Sequence, residues 1–120
     1  MKKWLIFLAL AALAAIAAAC GGSSTAADTV PANAKEIVIK ATNFKFDQAE
    51  YRVKKGETVN FVLENEAGNH GVKINGLDVN LKSSHKNDVV TLNEAGTYEI
   101  ECSLMCGVGH RDMVAKLIVE

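Results

Sequence analysis

An all-β sandwich of short antiparallel strands is the fold the sequence predicts from residue 36 onward. Three observations carry that expectation. Apolar and polar residues alternate in short runs, Gly and Asn punctuate those runs, and no longer window keeps a helical period. Glu36 to Lys40 is short and rich in β-branched residues, which suit a pleated, half-buried surface. Phe44-Lys45-Phe46 and Tyr51-Arg52-Val53 alternate, and Lys55-Gly56 turns the chain into Thr58 to Leu63. After Ala67-Gly68-Asn69, Val72 to Ile74 is followed by Asn75-Gly76, a strong hairpin-turn dipeptide. Asp88 to Leu92, Thr97 to Cys102 and Met113 to Val119 complete seven or eight strands. No internal repeat is present.

The segments ahead of this body read as an address and a tether. Lys2 and Lys3 precede an unbroken apolar run from Trp4 to Ala19, shorter than the roughly 20 residues a spanning helix needs. The run closes on Ala17-Ala18-Ala19-Cys20, followed by Gly and Ser. It resembles a bacterial lipoprotein box, which implies a signal peptide over 1–19 and a lipidated Cys20 as the mature N-terminus. A cleaved signal with a free Cys20 and an uncleaved anchor are the alternatives, and all three put the domain outside the cytoplasm. Residues 20–35 are small and polar, a flexible tether with a reach on the order of 20 Å. Residues 36–120 are then one domain.

Composition excludes several roles. The whole chain has a net charge of −1, and without Lys2 and Lys3 it is about −3, so there is no basic footprint for nucleic acid. No Ser-His-Asp ordering and no paired-carboxylate spacing supports hydrolysis.

Chemistry concentrates in Cys102-Ser-Leu-Met-Cys106-Gly-Val-Gly-His110-Arg-Asp-Met113, a loop between two predicted strands. Thiolate and thioether beside imidazole select copper or zinc over hard cations. One more nitrogen donor is needed from elsewhere, and His70 is the candidate. The spacing Cys-x3-Cys-x3-His-x2-Met, with Asn69-His70-Gly71-Val72 about thirty residues upstream, resembles the binuclear copper-A domain of cytochrome c oxidase subunit II and of nitrous oxide reductase. Gly96 to Cys102 and Lys55-Gly56-Glu57 are similar to cupredoxins at large.

The resemblance covers 36–120 and implies a cupredoxin-like Greek-key β-sandwich. It implies that Cys102 and Cys106 bridge two copper ions, that His70 and His110 each hold one, and that Met113 is an axial ligand. The Leu104 backbone carbonyl would be the sixth ligand. It further implies one-electron transfer with a c-type cytochrome or a respiratory oxidase as partner, the membrane being reached through lipidated Cys20. An enzyme acting alone is not expected. The aromatic patch for electron entry is best matched by Phe44 and Phe46.

Other readings of the same residues stay open. Cys102 and Cys106 could form a disulfide in an oxidising compartment. Met105 reads as packing or site rim, His85 as a solvent-facing loop residue, and Arg111 and Asp112 as a surface pair. A copper-handling protein for oxidase assembly, storing or delivering the metal, is one functional alternative. A mononuclear cupredoxin using His70, Cys106, His110 and Met113 is another.

Overall fold

Strand alternation sorts the side chains into an inner and an outer set, and the inner set builds the core. The structure, a computed structural model, describes residues 30–120. The expected signal peptide, Cys20 and most of the tether lie outside the described residues. Nine strands follow in order: β1 Lys35–Thr42, β2 Lys45–Phe46, β3 Glu50–Val53, β4 Thr58–Asn65, β5 Val72–Ile74, β6 Asn80–Leu81, β7 Asn87–Thr91, β8 Gly96–Glu101 and β9 Val114–Val119. The one helical element among the described residues is a 3-10 turn at His110–Asp112. No described helix is long and apolar enough to cross a membrane.

The strands form two sheets, one ordered β2-β1-β4-β7 and the other β3-β9-β8-β5-β6. Ile37, Ile39 and Ala41 of β1 and Val59, Phe61 and Leu63 of β4 are buried on the first sheet. Ile74, Ile100, Ala115, Leu117 and Val119 are buried on the second, and all belong to the same core. Each large side chain buried there contributes about 1.5–3 kcal/mol. Exposed ion pairs such as Arg52–Glu50, at 3.1 Å, contribute about 0–1 kcal/mol. The core therefore outweighs the charged surface.

Two expectations need correction. The sandwich is not purely antiparallel: β1 pairs with β4 in parallel, Ile37 opposite Phe61, and β3 pairs with β9 in parallel, Tyr51 opposite Leu117. The expected strands therefore formed, but partners far apart in sequence run the same way. The Asn75-Gly76 turn is present, with the Leu77 N–H donating to the Ile74 carbonyl and Gly76 at φ +89°. Its second strand is the short β6, which pairs with β5 beyond a loop of five residues, 75–79.

At the start of β3, the Tyr51 hydroxyl donates to Asp47 Oδ1 at 2.6 Å, and the same oxygen accepts the Lys40 N–H at 3.0 Å. Burial first, then the bond and charge of Asp47, hold the phenol's pKa above its ordinary value of 10.0. The folded state thus keeps the Tyr51 proton where the unfolded chain has lost it. That contribution is full below pH 10 and declines as pH rises beyond it. Denaturant melts across pH 8 to 12 should show falling stability above about pH 10, with a flatter slope in Tyr51→Phe.

Candidate metal centre

The β8–β9 hairpin places the first and last donors of the cysteine loop by register alone. Ile100 faces the core, so Cys102, two residues on, faces the same way; Met113 precedes inward-facing Ala115 by the same step. The ladder ends at Glu101 opposite Val114, and the Cys102 N–H then donates to the Met113 carbonyl at 3.2 Å. That bond clamps the base of the 103–112 loop. Within the loop, the His110 N–H donates to the Gly107 carbonyl at 3.2 Å and the Asp112 N–H to the Gly109 carbonyl at 3.0 Å. This tight winding turns Cys106 and His110 back over the hairpin end.

His70 arrives from the loop between β4 and β5. The Asn65 side chain at the end of β4 grips its backbone twice: Oδ1 accepts the His70 N–H at 3.1 Å, and Nδ2 donates to the His70 carbonyl at 3.2 Å. The two loops meet where the Ser103 N–H donates to the Gly71 carbonyl at 3.3 Å. A Cβ at Gly71 would lie against Ser103 Oγ and 3.0 Å from the Leu81 carbonyl oxygen, so this approach needs glycine.

The expected donors converge. The ligand atoms of His70, Cys102 and Cys106 all lie within 4.8 Å of one another. The two sulfurs are 3.5 Å apart. His110 Nδ1 and Met113 Sδ each lie 3.6 Å from Cys106 Sγ. The Leu104 carbonyl is 3.1 Å from Cys102 Sγ, so that backbone oxygen also faces the thiols. Both cysteines are free thiols, at a separation far beyond the roughly 2.05 Å of a disulfide. Burial pushes the Cys106 thiol pKa up, and the neighbouring Cys102 thiol adds to the rise. A metal must displace that proton to bind there.

The donor set fits a copper ion on two counts. Two thiols, imidazole nitrogen and a thioether are the soft and borderline donors copper takes. His70 is fully buried, and its Nδ1 has no hydrogen-bond partner among the described residues. Its Nε2 faces the Ala67 carbonyl at 2.7 Å, an acceptor that requires the proton on Nε2. Nδ1 therefore presents a bare lone pair, the tautomer a metal ligand needs.

The neighbours are partly as expected. Phe46 is buried in the core, opposite Ala41 across β1 and β2, so it is not part of a surface patch. Phe44 is half-buried, lies where a Cβ of Gly107 or Gly109 would stand, and meets the His70 ring edge-on with centroids 6.4 Å apart. Met105 is rim rather than packing: it is 87% exposed, and Val108 is 99% exposed. His85 is exposed and bonds Asp88 Oδ1 at 2.5 Å, away from the cluster. Arg111 and Asp112 are exposed. Sequence reasoning missed Asn65 and Ala67, which act through His70, and Gly71. Only the turn character of Ala67-Gly68-Asn69 hinted that this loop mattered.

No protein-family profile and no curated protein matches the chain. Solved structures do. A chain of a heme-copper terminal oxidase dimer superposes with a TM-score of 0.64 at 27% identity, covering 72% of this chain. This chain spans 65% of that chain's length. The periplasmic domain of subunit II of cytochrome oxidase of Bradyrhizobium japonicum gives a TM-score of 0.66 at 13% identity, covering 76% of this chain and 87% of that one. Reduced auracyanin from the photosynthetic bacterium Roseiflexus castenholzii gives 0.59 at 16% identity, covering 73% and 98%. The fold is thus a cupredoxin-like β-sandwich, with the subunit II domain among its neighbours.

The Gly71 contact has a measurable consequence. Gly71→Ala should cost about 1–3 kcal/mol in denaturant melts of the reduced, metal-free protein, the usual price of an added methyl in a packed site. Adding Ser103→Ala should restore part of the loss, because it removes the hydroxyl the new methyl meets.

Proposed function

We propose that the chain is a one-electron carrier with a binuclear copper-A-like centre, held by Cys102, Cys106, His70, His110, Met113 and the Leu104 carbonyl. The observation that carries this reading is the pair of free sulfurs 3.5 Å apart, with His70 joining both in one cluster and His110 approaching Cys106. Two thiolates are what bridging two coppers requires, and Cys102 sits inside the cluster rather than beside it. That counts against a mononuclear site with Cys102 as a spectator. Burial counts against storage or delivery: His70, Cys102 and Met113 are all buried, whereas a carrier that hands over metal needs exposed, exchangeable donors.

Bound copper would supply the one-electron couple, and the chain supplies the geometry. Cys102 and Met113 are set by the hairpin register, His70 by the Asn65 grip, and His110 by the 3-10 turn. A cage framed this way resists change between oxidation states, which keeps reorganisation small. His110 is half-buried and shares its loop with exposed Met105 and Val108, which supports electron entry at this end of the sandwich. The oxidase neighbours support a respiratory redox partner, a c-type cytochrome or an oxidase, and the periplasmic neighbour supports a place outside the cytoplasm. The tether through a lipidated Cys20 rests on the Ala17-Ala18-Ala19-Cys20 sequence.

Reconstitution of reduced protein should load about two coppers per chain, with the electron spin spread over both nuclei. Cys102→Ser should lose that signal. A single copper with one-nucleus hyperfine structure, retained in Cys102→Ser, would overturn the binuclear reading.

Mixed with a reduced small c-type cytochrome, the copper-loaded protein should accept electrons and consume no oxygen by itself. The association should slow as salt screens charge over roughly 10 Å at 0.1 M. Absence of exchange together with copper transfer to an apo-oxidase would favour the delivery role.

A further inference from the structure

The His70 ring is held at its far edge by two acceptors from different parts of the chain. The Ala67 carbonyl lies 2.7 Å from Nε2, and Asn43 Oδ1 lies 3.1 Å from the same nitrogen. One acceptor three residues away fixes the tautomer but leaves the ring free to pivot about that bond. A second acceptor, 27 residues away in sequence, fixes the ring plane as well. The meeting of the two depends on Gly68, at φ +81°: a Cβ there would lie 2.5 Å from Asn43 Oδ1 and 2.7 Å from His70 Nε2. Asn43 itself sits at the surface between β1 and β2, where sequence alone gives it no reason to be anything but a turn residue.

We propose that Asn43 is a positioning residue for His70, aiming the bare Nδ1 at the two sulfurs and shielding the Nε2 edge from water. The proposal rests on His70 being a copper ligand. The next residue extends the same device: Phe44 packs on Gly107 and Gly109 of the cysteine loop and meets the His70 ring edge-on. Two consecutive residues therefore touch both loops that carry the donors. The choice of an amide also matters chemically. A neutral acceptor orients the imidazole without adding charge, whereas a carboxylate in its place would raise the ring's donor strength and favour oxidised copper.

The test uses the full chain, reduced and metal-free, and then copper-loaded. In Asn43→Ala, the His70 Nε2–H should exchange with solvent about tenfold faster or more by NMR, and copper affinity should fall about 10–100-fold, with the melting temperature little changed. Asn43→Asp should restore the slow exchange and lower the reduction potential below that of the unaltered protein. Should Asn43→Ala fail to fold, Asn43→Asp decides alone, and an unchanged potential there overturns the proposal. Unchanged exchange and affinity in Asn43→Ala, with His70→Ala deficient in copper, would overturn the proposal but leave His70 a ligand. Wild-type affinity in His70→Ala would overturn both.

Discussion

A buried imidazole nitrogen with no partner is the feature round which the rest of this site is arranged. Leaving such an atom unsatisfied costs about 1–3 kcal/mol, and His70 Nδ1 is in that position. A sequence that served folding alone would relieve it with a hydroxyl or a carbonyl. This one instead occupies the other ring nitrogen with Ala67 and Asn43, grips the backbone with Asn65, and holds the ring within 4.8 Å of two thiols. Each of these contacts stabilises an orientation that is costly without a metal. A metal bound at Nδ1 would remove that cost, so the arrangement suits the loaded state proposed above.

The strands were legible because alternation is local, and their partners were not because pairing is not. Ile37-Val38-Ile39 announces a strand whichever neighbour it takes. Nothing within that run says that it lies parallel to Val59–Asn65, more than twenty residues on. The same holds for Tyr51 against Leu117, a parallel pair spanning most of the domain. Short strands such as Asn80–Leu81 escape for another reason. Two residues cannot display a period, and β6 exists because β5 offers it an edge.

The site divides along the same line. Cys102, Cys106, His110 and Met113 lie within twelve residues, so their spacing carries their geometry: a two-residue alternation sets the ends, and one tight turn sets the middle. His70 could be named as the missing nitrogen by its residue type and its place ahead of Val72. Its controls could not be. Asn43 and Ala67 belong to turns that look like any others, and Gly71 is identified only when the Ser103 backbone is seen against it. Phe46 shows the opposite error. Phe44-Lys45-Phe46 reads as one aromatic patch, yet pairing opposite Ala41 buries Phe46 in the core while Phe44 lies over Gly107 and Gly109.

The contrast between the two ends of the loop bears on why it has the composition it does. Cys102 and Met113 are buried by the hairpin, while the stretch between them rises out of the protein and exposes Met105 and Val108. Folding gains nothing from a valine that is 99% exposed, and solubility is better served by a polar residue. Gly107 and Gly109, on either side of it, are required by the Phe44 ring, so Val108 stands at the crest of a turn that cannot move inward. An apolar crest in the same loop as Cys106 and His110 would suit the proposed electron transfer, which calls for a brief encounter. Such a surface would let a partner displace water and approach the thiols without a specific lock. With a net charge of only about −3 on residues 20–120, long-range attraction would be weak and short-range apolar contact would do more of the orienting. The glycines that make room for Phe44 inside are thus the same ones that push the contact surface outward.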